Sequence, residues 1–349
     1  MLARICRVFA GIKDYRRGDV KHPIFSLLTI LLLAKVAGCY GWDAAATWAE
    51  AHFDLLRQHL PLWRKAPGAD TFRRAAEAYG LQDFLDAITI EGAAVHIDGK
   101  RARAANRGGQ VHHFIEALCA GQVIGLVETG AGAEGPAIET LVRSSLDLAG
   151  KLVTIDAAAT TPAVTAAVRE RKGDYLIAVA GNQPTLLERM ATAFDETPGH
   201  AHRTRDRGHG RHETRSARTI TTPKIVARVT GTATIQDIRC LCRIERTRIT
   251  KDGIVTTVHY HISSRALTPR EYARRVRSHW RIEALHHVLD VSLHEDACRI
   301  CDAAGVVGFL RRLAYAVIAE RRGKKTFAQY SQMMHANPTP LLNSLTASP

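Results

Sequence analysis

Asp98 ends the run AAVHID, Asp156 ends the run KLVTID, and Glu283 lies inside SHWRIEALHHVLD. Both aspartates close a short apolar, β-branched run and are followed by Gly or Ala, whereas the glutamate falls in a long amphipathic stretch. Two carboxylates on strands and one on a helix can converge on a pair of hard cations, which prefer oxygen ligands. A two-metal site of that kind activates one oxygen and stabilises another during an in-line phosphoryl displacement. The chemistry these residues point to is therefore phosphodiester cleavage or transfer, with Asp98, Asp156 and Glu283 as ligands of two Mg²⁺ ions or of Mn²⁺ in their place. No side chain is required as a covalent nucleophile.

Elements must carry those acids to one place. Residues 93–98, 111–120 and 123–128 read as three short strands joined by Gly-containing turns. Residues 136–148 have helical periodicity, 152–156 read as a buried strand, 162–171 as a helix and 175–180 as another strand. The order βββαβαβ is that of an RNase H-like catalytic core, and a right-handed crossover sets its first and fourth strands side by side, joining the two aspartates. The third acid must then come from a later helix. Thr268-Pro269-Arg270-Glu271 is a capping box with Pro at the first helical position, which starts a helix running to about residue 290. On it Val276, Trp280, Glu283, His287 and Asp290 fall near one face, with Trp280 taken as its buried side. Arg270, Arg274, Arg277 and Arg281 flank that face.

A chain of 349 residues, 46% of them hydrophobic, is long enough for about two domains with a substantial core. Its formal charge of +14 and pI near 9.8 favour a polyanionic partner, and the clustering of the arginines favours DNA. The first ten residues lack the apolar block and cleavage pattern of a secretory signal. The apolar run at 24–34 is too short to span a bilayer and reads as a buried helix, so no membrane partner is expected. Seven cysteines, an odd number, fit a reducing cytoplasm better than a disulfide framework. Cys240 and Cys242, on a probable strand, are read as facing opposite sides, and with Cys298 and Cys301 they are not assigned to zinc.

The chain divides by composition into an N-terminal helical domain at 1–85 and a catalytic domain at 86–349, with a strand-rich insertion at about 200–265. The N-terminal domain holds helical segments at 23–36, 43–59 and 70–79, the third opening with Arg73 and Arg74. It serves either as a DNA-reading unit or as a small bundle packed on the core. The insertion contains the β-type runs KIVARV, DIRCLCRI and TTVHYHI. Its leading edge, 202–218, is the densest basic patch, and Arg207, Arg211 and Arg215 are expected to follow a DNA backbone together with Arg277. Lys100, Arg101 and Arg103, just after Asp98, are expected to hold phosphate.

Taken together these residues resemble the ISAs1 group of transposases, relatives of the H-repeat-associated proteins within the IS4-like DDE class. The resemblance covers nearly the whole chain: HPIFSLLTILLLAKVAGCYGW, ADTFRR, IDGK, VTIDA, GNQPTL, GHGRHETR, YHISS, HWRIE, LDV and EDACRI, in that order. IDGK alone is weak, whereas the ordered set is specific. It implies a cut-and-transfer enzyme acting on the ends of its own insertion sequence and on target DNA. It also implies Asp98, Asp156 and Glu283 as the metal-binding triad. A homodimer or larger synaptic assembly in the cytoplasm, nucleoid-associated when bound to DNA, is expected. The chain departs from the usual pattern at Gly132-Ala133-Glu134-Gly135, Ala180, Ala284 and His287, and at Val276, His279 and Asp290 around the third acid. A relative that binds DNA without cutting it is the alternative.

Overall fold

The computed structural model describes all residues except 17–19, 80–91, 108–109, 120–121, 131, 145, 158–160, 209–210, 232, 252 and 347–349, and at 101–112, 122, 144, 211 and 346 the backbone alone. The chain forms two compact units, one of Met1–Ile90, Gly99–Ala133 and Glu283–Pro349, the other of Glu91–Asp98 and Glu134–Ile282.

The first unit is built around one helix. α1 (Leu2–Gly11), α2 (Ile24–Val36), α3 (Trp42–Ala51), α4 (Phe53–Arg57) and α5 (Ala69–Glu77) come first in the chain. α2 is apolar on every side, and a helix of that kind must be enclosed. Leu27, Leu28 and Ile30 to Leu33 are fully buried, each contributing on the order of 1.5–3 kcal/mol by leaving water. α2 packs on α1, α3, α5 and α11 (Ala304–Arg321). The unit also holds the later part of β1 (Ala94–Arg107), β2 (Gln110–Cys119) and β3 (Gln122–Thr129), in the order β3-β2-β1. α12 (Phe327–Ala336) and α13 (Thr339–Thr346) complete it. Among the described residues no helix is long and apolar enough to cross a membrane.

The second unit carries the first part of β1, α6 (Glu134–Ser144), β4 (Leu152–Ile155), α7 (Pro162–Glu170), β5 (Asp174–Val179) and α8 (Pro184–Glu196). β6 (His202–Gly208), β7 (Arg211–Ile220), α9 (Pro223–Thr230), β8 (Cys240–Thr250) and β9 (Gly253–Ser263) follow, and α10 (Pro269–Val291) begins here. Its strands are ordered β1-β4-β5-β9-β8-β7-β6. β4 lies parallel to both β1 and β5, and the remaining pairs are antiparallel. Parallel strands with helical crossovers are covered on both faces, which is why LVTI is apolar apart from one threonine and buried throughout. A β2–β3 hairpin before α6, and a βαβ unit returning β4 beside β1, make the core RNase H-like, as its element order predicts.

One run differs from expectation. KIVARV is not a strand but the body of α9, where Pro223 takes the first helical position and Val226 and Val229, three apart, are buried. The apolar spacing fits a helix as well as a strand over so short a run, and the proline decides it.

Candidate active site and basic groove

Val95 and Ile97 of β1 pair in parallel register with Val153 and Ile155 of β4. The next residue along each strand is an acid: Asp98, half-buried, and Asp156, exposed where β4 has ended. The two aspartates thus stand at the same level, Asp98 within β1, which runs on past the expected end at 98, and Asp156 just beyond the end of β4. A slip of one residue would send one of them to the opposite face.

Below the aspartates lies a chain of hydrogen bonds. His96 and Thr154, two residues before each acid and therefore on the same face as it, are a registered pair, with His96 Nδ1 2.7 Å from Thr154 Oγ1. Thr154 Oγ1 is 2.8 Å from His279 Nδ1 on α10, and His279 Nε2 is 3.1 Å from Asp156 Oδ1. His96 Nε2 meets Ser278 Oγ at 2.8 Å. The hydrogen bond from His279 holds Asp156's carboxyl below the usual carboxylate range, against partial burial that raises it. Burial pushes His96 down to about 4, aided by the charges of His279, Arg275 and Arg281. Sequence reading missed these residues. The available signal was a polar side chain two places before each aspartate in an otherwise apolar strand.

α10 opens as its capping box requires: Glu271 N donates to Thr268 Oγ1 at 3.3 Å and Thr268 N to Glu271 Oε2 at 3.0 Å. Tyr272, Val276 and Ile282 are buried along it, whereas Glu283 is exposed and has no partner among the described residues. The competing acids nearby are all engaged. Lys100 is buried and paired with Asp290 and, at 3.3 Å, with Asp296. Glu295 is bonded to Arg312 at 2.6 Å, and Arg312 also holds Glu116 at 2.6 Å. His286 completes this buried cluster through Glu116. Lys100 is therefore not a surface cation in this arrangement.

Trp280 lies on the core side of α10, packed against the cluster that holds Tyr272 and Val276, but it is not fully enclosed. It is half-buried and flanked by the guanidinium groups of Arg215 and Arg246, each 5.3 Å from its ring centroid. Arg215 is further tied to Asp206 and Glu213. Beside it, a groove of about 470 Å³ is lined by His202 of β6, Arg215 of β7, and Arg270, Glu271, Arg274 and Arg277 of α10. Asp206 bonds Arg277 at 2.8 Å, and Glu271 is occupied by the helix cap. Arg270 and Arg274 in the groove, and exposed Arg207 on β6, form no salt bridge among the described residues, although the charge of Arg274 acts on Glu271. The expected phosphate contacts at Arg101, Arg103 and Arg211 involve side chains that lie outside the described residues. On the N-terminal helix α5, Arg73 is paired with Asp70 and Glu77 at 3.1 Å each.

Asp98 and Asp156 each offer carboxylate oxygen, a donor type that suits hard divalent cations. Among the described residues no group of three or more His, Cys, Asp or Glu is gathered for metal binding, and the register joins the two aspartates only. Cys240 and Cys242 do not face opposite ways: residues two apart on a strand share a face, and their sulfurs are 3.5 Å apart in the core with Tyr272 and Val276.

The family described as Transposase DDE domain matches residues 84–318, and that described as DDE_Tnp_1-associated matches 6–89. The chain is 29% identical over 343 residues to YncI of Escherichia coli O157:H7, covering 88% of this chain and 85% of that protein. It is 29% identical over 346 residues to the H repeat-associated protein YhhI of Escherichia coli K12, covering 91% and 90%. A chain of the piggyBac transposase synaptic complex with hairpin DNA is similar with a TM-score of 0.44 and 11% identity, over 99% of this chain and 79% of that one.

Proposed function

This chain belongs to the Transposase DDE domain family, and from that membership we propose that it cuts DNA at the ends of an insertion sequence and joins them to target DNA. The observation that carries the reading is the placement of Asp98 and Asp156 directly after the last registered pair of β1 and β4. Glu283 is taken as the third acid on two supports: it is exposed with no partner among the described residues, and it follows His279, the residue bonded to Asp156, by one turn of the same helix. Asp290 and Asp296 are paired with Lys100, and Glu295 with Arg312.

Asp98, Asp156 and Glu283 would hold two Mg²⁺ ions, which when bound supply Lewis acidity at the scissile phosphate and lower the pKa of an attacking water or 3′-hydroxyl. Arg207, Arg270 and Arg274, which form no salt bridge among the described residues, would meet DNA phosphates, and Arg277 would join them by releasing Asp206. Arg215, half enclosed by Trp280, Asp206 and Glu213, supports the groove wall. Lys100, between Asp290 and Asp296, braces α10 instead of holding phosphate. Joining two ends asks for at least a homodimer.

The test is incubation of the purified full chain with duplex DNA carrying the gene's flanking ends, in Mg²⁺, Mn²⁺ or chelator. Metal-dependent nicks at the ends, absent from scrambled duplex, are expected. Binding without cleavage in any metal would mark a DNA-binding relative instead.

A further inference from the structure

Asp156 is exposed, and a line of buried and half-buried side chains ends on it. The line runs Ser278 Oγ, His96 Nε2 and Nδ1, Thr154 Oγ1, His279 Nδ1 and Nε2, Asp156 Oδ1, with successive separations of 2.8, 2.7, 2.8 and 3.1 Å. An ionised carboxylate only accepts, so His279 Nε2 must carry hydrogen. In the neutral ring Nδ1 then accepts the Thr154 hydroxyl, Thr154 Oγ1 accepts from His96 Nδ1, and His96 Nε2 accepts the Ser278 hydroxyl. His96, Thr154 and His279 each donate once and accept once, between the donating Ser278 hydroxyl and the accepting Asp156 carboxylate. The chain is anchored at three elements, since His96 is on β1, Thr154 on β4, and Ser278 and His279 on α10.

We propose that His279 is a positioning residue that fixes the rotation of the Asp156 carboxylate, and that Thr154 and His96 fix the tautomer and ring angle of His279. The proposal rests on the reading of Asp156 as a metal ligand. Partners of this kind, one bond removed from the metal, typically change metal affinity by about 10- to 100-fold when removed. The chain also couples the two strands: His96 and Thr154 lie two residues before Asp98 and Asp156, so one hydrogen bond ties together the faces that present both acids.

Mn²⁺ titration of the full chain, followed by electron paramagnetic resonance without DNA, measures affinity apart from turnover. Asp156→Asn tests the premise; if it binds Mn²⁺ as the wild type does, Asp156 is not a ligand and the proposal falls with it. Given loss of binding there, Thr154→Val removes one hydroxyl from a buried strand that tolerates valine, and is expected to weaken Mn²⁺ binding by about 10-fold or more. His279→Ala is expected to do the same, and His279→Gln, whose amide reaches the Nε2 position, to recover part of the loss. Wild-type affinity in both Thr154→Val and His279→Ala would overturn the positioning role while leaving the metal reading intact. Should the variants fold poorly, long-range ¹⁵N–¹H spectra of the wild-type chain decide. A His279 ring protonated at Nε2 and bare at Nδ1 is expected, and the opposite tautomer would overturn the proposal.

Discussion

Ile97 on β1 stands beside Ile155 on β4 in parallel register, and an aspartate follows each of them. The apolar pairs Val95–Val153 and Ile97–Ile155 are buried, so burial of these four side chains sets the level at which the two acids emerge. Packing and chemistry meet in that relationship, because the hydrophobic pattern that specifies the strand also specifies the spacing of the carboxylates.

The buried cluster of Glu116, Arg312 and Glu295 is expected to be a point of high cost. Arg312 is fully enclosed, and removing it as Arg312→Met strands two buried carboxylates, which should destabilise the chain by about 3–5 kcal/mol. Denaturant unfolding at neutral pH measures this. A loss below about 1 kcal/mol, the range of an ordinary surface change, would show that water already reaches the cluster.

Stability is expected to fall as pH is lowered below 6.5. His261 is held neutral in the fold, its pKa pushed down to about 3 by burial and by the charges of His279 and His259. Its ring bonds the Tyr272 hydroxyl at 2.8 Å. Between about 6.5 and 3 the unfolded chain therefore carries a proton that the folded chain does not. The contribution is complete above 6.5 and declines toward acid, with a limiting slope of about 1.4 kcal/mol per pH unit for each such group. Melting curves of His261→Gln are expected to show a shallower pH dependence than the wild type across that window. An identical dependence would mean that the ring is protonated in the folded state.

DNA affinity is expected to depend on the unpartnered arginines. Replacing Arg207, Arg270 and Arg274 with alanine should flatten the slope of log K against log salt by roughly two to three units if each meets one phosphate. Titration of labelled duplex at several salt concentrations in chelator reads this without cleavage. An unchanged slope would move the DNA track away from β6 and the α10 groove.

Much of this arrangement is legible in the residues. The order of elements, the Thr268–Glu271 cap and the end of β4 at Asp156 each depend on local pattern and appear in the fold, whereas the strand expected to end at Asp98 runs on to Arg107. What escaped depends on residues far apart in sequence. His96, Thr154 and His279 are separated by 58 and 125 positions, so nothing local joins them. Lys100 reads as a phosphate contact because it sits two residues after Asp98, but Asp290 and Asp296 claim it through folding. Trp280 reads as the buried side of its helix and does pack on the core, but the two arginines that flank its ring come from distant strands and are not visible locally. KIVARV was short enough to satisfy either periodicity, and Thr222-Pro223 ahead of it was the overlooked start signal.

Strand cleavage of DNA carrying the gene's flanking ends, by the full chain in Mg²⁺ or Mn²⁺, tests the three acids most directly. Asp98→Asn, Asp156→Asn and Glu283→Gln are each expected to lower the cleavage rate at least about a thousandfold, matching the several kcal/mol that metal-held charge supplies. Each should bind the same DNA as tightly as the wild type does in chelator. Asp290→Asn, two turns beyond Glu283 and already paired with Lys100, is expected to keep measurable cleavage. Wild-type cleavage by any of the three, or loss in Asp290→Asn with Glu283→Gln still active, would contradict the assignment.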